Sequence, residues 1–198
     1  MHIGLYFGSF NPIHHGHLII AEHILNSSFV DELWFMISPQ NPFKNTSSLL
    51  NEYHRLNLAR EAIEGVPRMK VSNIEFKLPK PSYTSDTLQY LLEKYPTNNF
   101  SIIMGSDGLQ NFKKWKNYNF LLQNSSIIVY PRPGFEPIHI EGAKMEIAKA
   151  PLIDISSTHI RYLIKSRKSI RFLLPENVRL MIENNGYYLS ASENPSEQ

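Results

Sequence analysis

The sequence predicts an α/β protein, a doubly wound parallel sheet of five to six strands with helices on both faces. Three observations carry this. Short apolar runs alternate with stretches of helical spacing along the chain, and such alternation builds a parallel sheet covered on both sides. Several runs stop at small or polar residues, at Gly8-Ser9, Gly105-Ser106-Asp107 and Ile155-Ser156-Ser157, beyond the strand carboxyl ends where this architecture holds ligands. The 198 residues are 42% hydrophobic and 19% charged, enough for one large domain with a well-buried core.

The elements follow in order. Ile3–Gly8 suits a buried strand, with Gly4 the exception, and Leu18–Leu25 reads as the helix after it. Asp31–Ser38 is a second apolar run, ended by Pro39. Pro39 and Pro42 disfavour both helix and central strand, so residues 39–44 form a loop. Leu56, Ala59 and Ile63 stand at helical spacing in Asn51–Glu64, and Gly65-Val66-Pro67 stops that helix. Met69–Ile74 is a short third strand, and Pro81–Thr84 a turn into a helix over Ser85–Lys94. Phe100–Gly105 is the fourth strand, residues 107–123 are short helical turns carrying Trp115 and Phe120, and Ser125–Tyr130 is the fifth. Arg132-Pro133-Gly134 is a turn, and Ala150–Ile155 is the candidate for a sixth strand. Ser157 is expected to cap a helix reaching about Ser166, and Pro175 opens a last helix that stops at Asn185-Gly186. The whole reads as one Rossmann-like domain over residues 1–189, with a polar tail over 190–198 expected to be disordered.

A net charge of +2 gives no electrostatic case for wrapping nucleic acid, and the basic cluster Lys113-Lys114-Trp115-Lys116 is short enough to be a solvated face. The chain has no cysteine, which excludes disulfides and thiolate metal sites and is compatible with a reducing cytoplasm. No run approaches the ~18 apolar residues of a membrane span, and no secretory leader is recognised at the start. A cytoplasmic protein without membrane or nucleic-acid partners is the expectation. Oligomeric state is left open, and a homo-oligomer is compatible with the residues.

Chemistry concentrates where the first strand meets its helix. A helix N-terminus presents unpaired N–H groups and the positive end of the dipole, a ready site for phosphate. His14 and His17 stand three apart there and project from one face; His15 points elsewhere. Three roles are open to the pair: metal ligation, for which spacing and partners are wrong; bland surface histidines, in a chain with eight; and hydrogen-bond donation to phosphate oxygens. The last fits a helix N-terminus best. Late in the chain, Ser156, Ser157 and Thr158 offer helix capping, a phosphate cradle, or both, with Arg161 one turn on as a delocalised charge.

Gly8-Ser-Phe-Asn-Pro-Ile-His-His-Gly-His17 resembles the Gly-x-Phe-x-Pro-x-His-x-Gly-His signature of nucleotidylyltransferases, and Ser156–Arg161 resembles its second element, Ser-x-x-x-x-Arg. Across nearly the whole chain the likeness narrows to bacterial nicotinate mononucleotide adenylyltransferases. It includes Pro81-Ser-Tyr-Thr84 with Thr87-Leu88, Ile103–Asp107, Trp115, Arg132-Pro-Gly134, and the Leu174-Pro175 to Tyr188 ending. For ATP the resemblance implies Gly8, Ser9 and Phe10 around the nucleotide, and His14, His17, Ser157, Thr158 and Arg161 on its phosphates. Gly105 and Asp107 would line the adenosine site. His14, His17 and Arg161 are the implied catalytic set. For nicotinate mononucleotide it implies Tyr83, Thr84, Trp115 and Arg132; the alternatives are a core role for Trp115 and a turn cap for Arg132. One departure stands out: in Asn41-Pro42-Phe43-Lys44, a phenylalanine takes the place of the usual histidine, while Lys44 keeps a positive charge for the acceptor phosphate.

The implied reaction joins ATP to nicotinate mononucleotide by direct in-line transfer without covalent intermediate. No protein metal site is expected, and Mg²⁺ would be held through substrate phosphates. The alternatives are an acceptor preference for nicotinamide mononucleotide or phosphopantetheine, or a nucleotide-binding protein that has lost catalysis.

Overall fold

A computed structural model describes residues 1–40 and 49–189. Six strands form one sheet: β1 (His2–Gly8), β2 (Glu32–Ile37), β3 (Met69–Ser72), β4 (Asn99–Gly105), β5 (Ser126–Tyr130) and β6 (Met145–Ile147). Their order is β3-β2-β1-β4-β5-β6, and every neighbouring pair is parallel. The expected doubly wound sheet is therefore present. Its strand order reverses between β1 and β4, so the crevice for a ligand lies beyond Gly8 and Gly105.

Helices cover both faces, and each face has its own apolar core. On one face lie α1 (His15–Asn26), α2 (Glu52–Ala62), α6 (Ser157–Lys165) and α7 (Glu176–Asn184), packing Ile20, Leu56, Ile160 and Val178 against Phe35 and Tyr6. On the other lie α3 (Thr84–Lys94), the single turn α4 (Ser106–Leu109) and α5 (Tyr118–Asn124), packing Leu88, Leu109 and Leu121 against Leu5 and Ile102. Gly4, the odd residue of β1, has no room for a side chain. A Cβ there would lie 2.8 Å from the Ile103 side chain on β4.

The sixth strand, the end of the third strand and the cap of α6 differ from expectation. The sixth strand is Met145–Ile147, not Ala150–Ile155. It pairs with Val129 and its neighbours along the sheet edge, where an exposed Glu146 is acceptable and breaks the apolar pattern that sequence reading looks for. Pro151 lacks an N–H for a ladder, and Ala150 is buried without strand pairing. The third strand ends at Ser72 rather than Ile74, because the chain turns there into a 3₁₀ helix, Ile74–Lys77. The cap of α6 is Ser156, whose hydroxyl accepts from His159 N–H at 3.2 Å, rather than Ser157. The expected tail, 190–198, lies outside the described residues.

Candidate active site

The corner after β1 is packed on itself. Phe10 takes a left-handed backbone (φ 44°), which folds its ring back under Gly8; a Cβ on Gly8 would sit 2.9 Å from that ring. Phe10 is buried against Tyr6, Phe35 and the edge of His17. Gly16 is required for a similar reason, since a Cβ there would meet the His14 ring at 3.0 Å. The two histidines then stack, ring centroids 3.7 Å apart.

His14 is the N-cap of α1 rather than part of its first turn, and only 4% exposed. Burial, then Arg132 and His15, pushes its pKa down to about 4, so the ring is neutral at pH 7. Its Nδ1 is buried with no hydrogen-bond partner among the described residues. The His14 N–H donates to His17 Nδ1 at 3.3 Å. With Nδ1 accepting, the proton of a neutral His17 resides on Nε2, which is thereby kept as a donor.

Helix α6 closes over this corner. Ser157 Oγ donates to the Pro12 carbonyl at 2.9 Å, and Arg161 donates to the Asn11 carbonyl at 2.8 Å and to Thr158 Oγ at 3.3 Å. Asn11 Oδ1 in turn accepts from Leu50 N–H. The two sequence motifs, some 150 positions apart, thus meet through hydrogen bonds. Between them opens a cavity of about 340 Å³ lined by Gly8, Ser9, Phe10, His14, His17, Ser157, Thr158 and Arg161.

A second cavity, about 560 Å³, adjoins it on the β4 side. Tyr83, Thr84, Trp115 and Gly105 line it, and Lys114 and Lys116 stand at its wall. Trp115 packs on Phe112, and Lys116 spans to Asp86 at 2.8 Å with its ammonium 4.7 Å from the Tyr83 ring centre. Tyr6, Phe7, Gly8, Asp107 and Tyr130 border both cavities. Arg132, assigned to the acceptor by resemblance, lines the first cavity instead, 3.8 Å from Asp107, with its N–H on Ser106 Oγ. Gly105, assigned to adenosine, borders the second; a side chain there would run into Asp107 and Arg132. Lys44 lies outside the described residues.

Two buried ionisable residues escaped sequence reading. Arg55 on α2 is fully buried and donates to the carbonyls of Leu50, Ser9, Ser38 and Pro39 at 2.6–3.0 Å. Glu75, 2% exposed, borders the second cavity and accepts from Ser82 and Thr87. Arg55 sits beside the apolar stripe of its helix and Glu75 inside a short apolar run, so neither spacing flags a role.

The cytidylyltransferase-like family model matches residues 5–163. A protein of Flavobacterium psychrophilum is 49% identical over 95% of this chain and 99% of its own, and one of Cytophaga hutchinsonii 47% identical over 95% and 98%. Both are named probable nicotinate-nucleotide adenylyltransferase. The chain belongs to this family. The fold agrees: a Plasmodium falciparum nicotinic acid mononucleotide adenylyltransferase, solved in complex with NaAD, superposes with a TM-score of 0.78 at 23% identity, covering 94% of this chain and 97% of that one. A putative Vibrio parahaemolyticus nicotinate-nucleotide adenylyltransferase gives a TM-score of 0.71 at 20% identity, covering 94% of each. Among the described residues, no helix is long and apolar enough to cross a membrane.

Proposed function

We infer that the protein transfers the adenylyl group of ATP to nicotinate mononucleotide, giving nicotinate adenine dinucleotide and pyrophosphate. The observation that carries this reading is the pair of adjoining cavities at the switch point, one walled by histidines, hydroxyls and Arg161, the other by Trp115 and the first turn of α3. ATP takes the first and the mononucleotide the second. A flat tryptophan face suits a pyridinium ring, and the unpaired N–H groups at the start of α3, by Tyr83 and Thr84, suit its carboxylate.

The mononucleotide's phosphate is already an anionic nucleophile, so no activating base is required. One of its oxygens attacks the α-phosphorus of ATP; that O–P bond forms as the bond to the pyrophosphate oxygen breaks, and the leaving group carries away the electron pair. The protein's work is to place two anions in line and to stabilise charge on the α-phosphate and leaving pyrophosphate. His14, His17, Ser157, Thr158 and Arg161 serve those phosphates, with Gly8, Ser9 and Phe10 as the nucleotide's packing surface. Asp107 and Gly105 border the junction, and Arg132 faces it from the ATP side. Lys44 is assigned to the acceptor phosphate by its charge.

Mg²⁺ would arrive on the substrate phosphates. Among the described residues no group of three or more His, Asp or Glu side chains is arranged for a metal, and Mg²⁺ commonly retains waters and phosphate oxygens. Asp107, which borders both cavities, is the carboxylate that would join its coordination. Residues 1–189 act in this reading as one domain, in the cytoplasm, without nucleic-acid or membrane partners; a homo-oligomer is compatible with it.

The deciding experiment measures pyrophosphate release from ATP with nicotinate mononucleotide, nicotinamide mononucleotide and phosphopantetheine under steady-state conditions. The nicotinate form should give the highest kcat/KM. Preference for the amide or for phosphopantetheine would sink the acceptor assignment, and ATP binding without release would mark a protein that has lost catalysis.

A further inference from the structure

Glu75 is a carboxylate held where carboxylates are costly. It is 2% exposed, on the 3₁₀ helix that follows β3, and burial pushes its pKa up. Burying such a group is costly unless hydrogen bonds compensate it. Here the compensation is specific. Ser82 Oγ donates to Oε2 at 2.8 Å and Thr87 Oγ1 donates to Oε1 at 2.9 Å, and the nearby Ser38 hydroxyl also favours the ionised form. Ser82 and Thr87 flank Tyr83 and Thr84, so the carboxylate clips both sides of the turn that opens α3. All three hydroxyl residues are themselves buried.

The bonds also point to a purpose beyond holding the fold. Glu75, Ser38, Ser82, Tyr83 and Thr84 all border the second cavity. A turn tethered only by its neighbours in the chain would let the first N–H groups of α3 swing. The Glu75 clip fixes that turn from the 3₁₀ helix after β3, and Ser38, just past β2, lies beside it with its carbonyl held by Arg55. Arg55 also holds Ser9 in the ATP corner.

We propose that Glu75 is a positioning residue for the acceptor. Through Ser82 and Thr87 it holds the Tyr83–Thr84 turn in the orientation that receives the mononucleotide's pyridine carboxylate. It does not touch the reacting atoms. The inference rests on reading the second cavity as the acceptor site. Glu75→Gln keeps the size, removes the charge and one acceptor oxygen, and should raise the acceptor KM about tenfold, the loss of roughly one hydrogen bond to a charged group. The KM for ATP should stay within about twofold, because only acceptor contacts weaken.

The test is steady-state kinetics of wild type, Glu75→Gln and Ser82→Ala with both substrates varied, alongside their thermal midpoints. A rise in acceptor KM alone, larger in Glu75→Gln than in Ser82→Ala, supports positioning. An unchanged acceptor KM, or both KM values rising together, overturns it; so does a loss of thermal stability with active protein that keeps both wild-type KM values. Should Glu75→Gln fail to fold, Ser82→Ala, which deletes one donor only, decides by the same criterion. Wild type that releases no pyrophosphate with nicotinate mononucleotide overturns the acceptor reading itself and the inference with it, an outcome visible before any variant is made.

Discussion

At the scale of single residues, the site is a set of side chains whose protonation is chosen by packing. His17 is kept as an Nε2–H donor by the His14 N–H on its other nitrogen. In the reading proposed above, that donor serves the phosphates, so His17→Ala should lower kcat by about 10²–10³, the typical effect of losing one such donor. An unchanged kcat would remove His17 from the mechanism. His14 leads to a pH prediction. Its folded pKa, about 4, is below the ~6.5 of the unfolded chain, so between these values the unfolded state binds the extra proton. Stability is therefore intact above about pH 6.5 and is lost as pH falls towards 4. Between pH 7 and pH 5 this group alone should remove about 2 kcal/mol. Urea midpoints at the two pH values, compared with those of His14→Gln, isolate the effect. Equal pH dependence in both proteins would contradict the neutral, buried ring.

At the scale of elements, loops at strand ends are held by one side chain from the next helix along. Arg55 gives its donors to carbonyls at the end of β1, at the end of β2 and just before α2. A guanidinium is suited to this because it carries five N–H donors in a rigid fork and no acceptor to satisfy. Arg55→Met would leave buried carbonyls unpaired and should cost on the order of 3 kcal/mol, read from chemical denaturation. A cost below about 1 kcal/mol would show that these loops hold their shape without it. Elements were legible in the sequence where apolar runs were long: β1, β2, β4 and β5 fall within a residue or so of expectation. Boundaries shifted where a local polar contact decided them. Ser72 Oγ accepting from Ile74 N–H accompanies the end of β3, and Ser156 rather than Ser157 caps α6.

At the scale of the whole molecule, the sheet order turns two separate motifs into one cavity and sets a second beside it. β1 and β4 are neighbours although some ninety residues separate their sequences, and their carboxyl ends bring Gly8 and Gly105 to the same crevice. Parallel strands with helices on both faces leave one rim of the sheet for ligands, and the two cavities share a wall there. That shared wall is what direct transfer between two bound substrates requires. Arg132 and Gly105 stand at that wall, Arg132 lining the first cavity and Gly105 the second, and the side of a wall has no signature in residue spacing.

The sequence by itself determined the fold class, the order of most elements, and the gathering of histidines and small residues at the first corner. These depend on contacts within a few positions, such as three-residue spacing on one helix turn or glycine at a strand end, and local spacing encodes them. Only the tertiary structure decided that Arg55 ties Ser9 to Pro39, that Glu75 clips the turn before α3, and that Arg161 reaches Asn11. It also decided that His14 is neutral. Those outcomes turn on burial and on partners up to 150 residues away, where desolvation and hydrogen-bond geometry depend on how the sheet brings distant segments together.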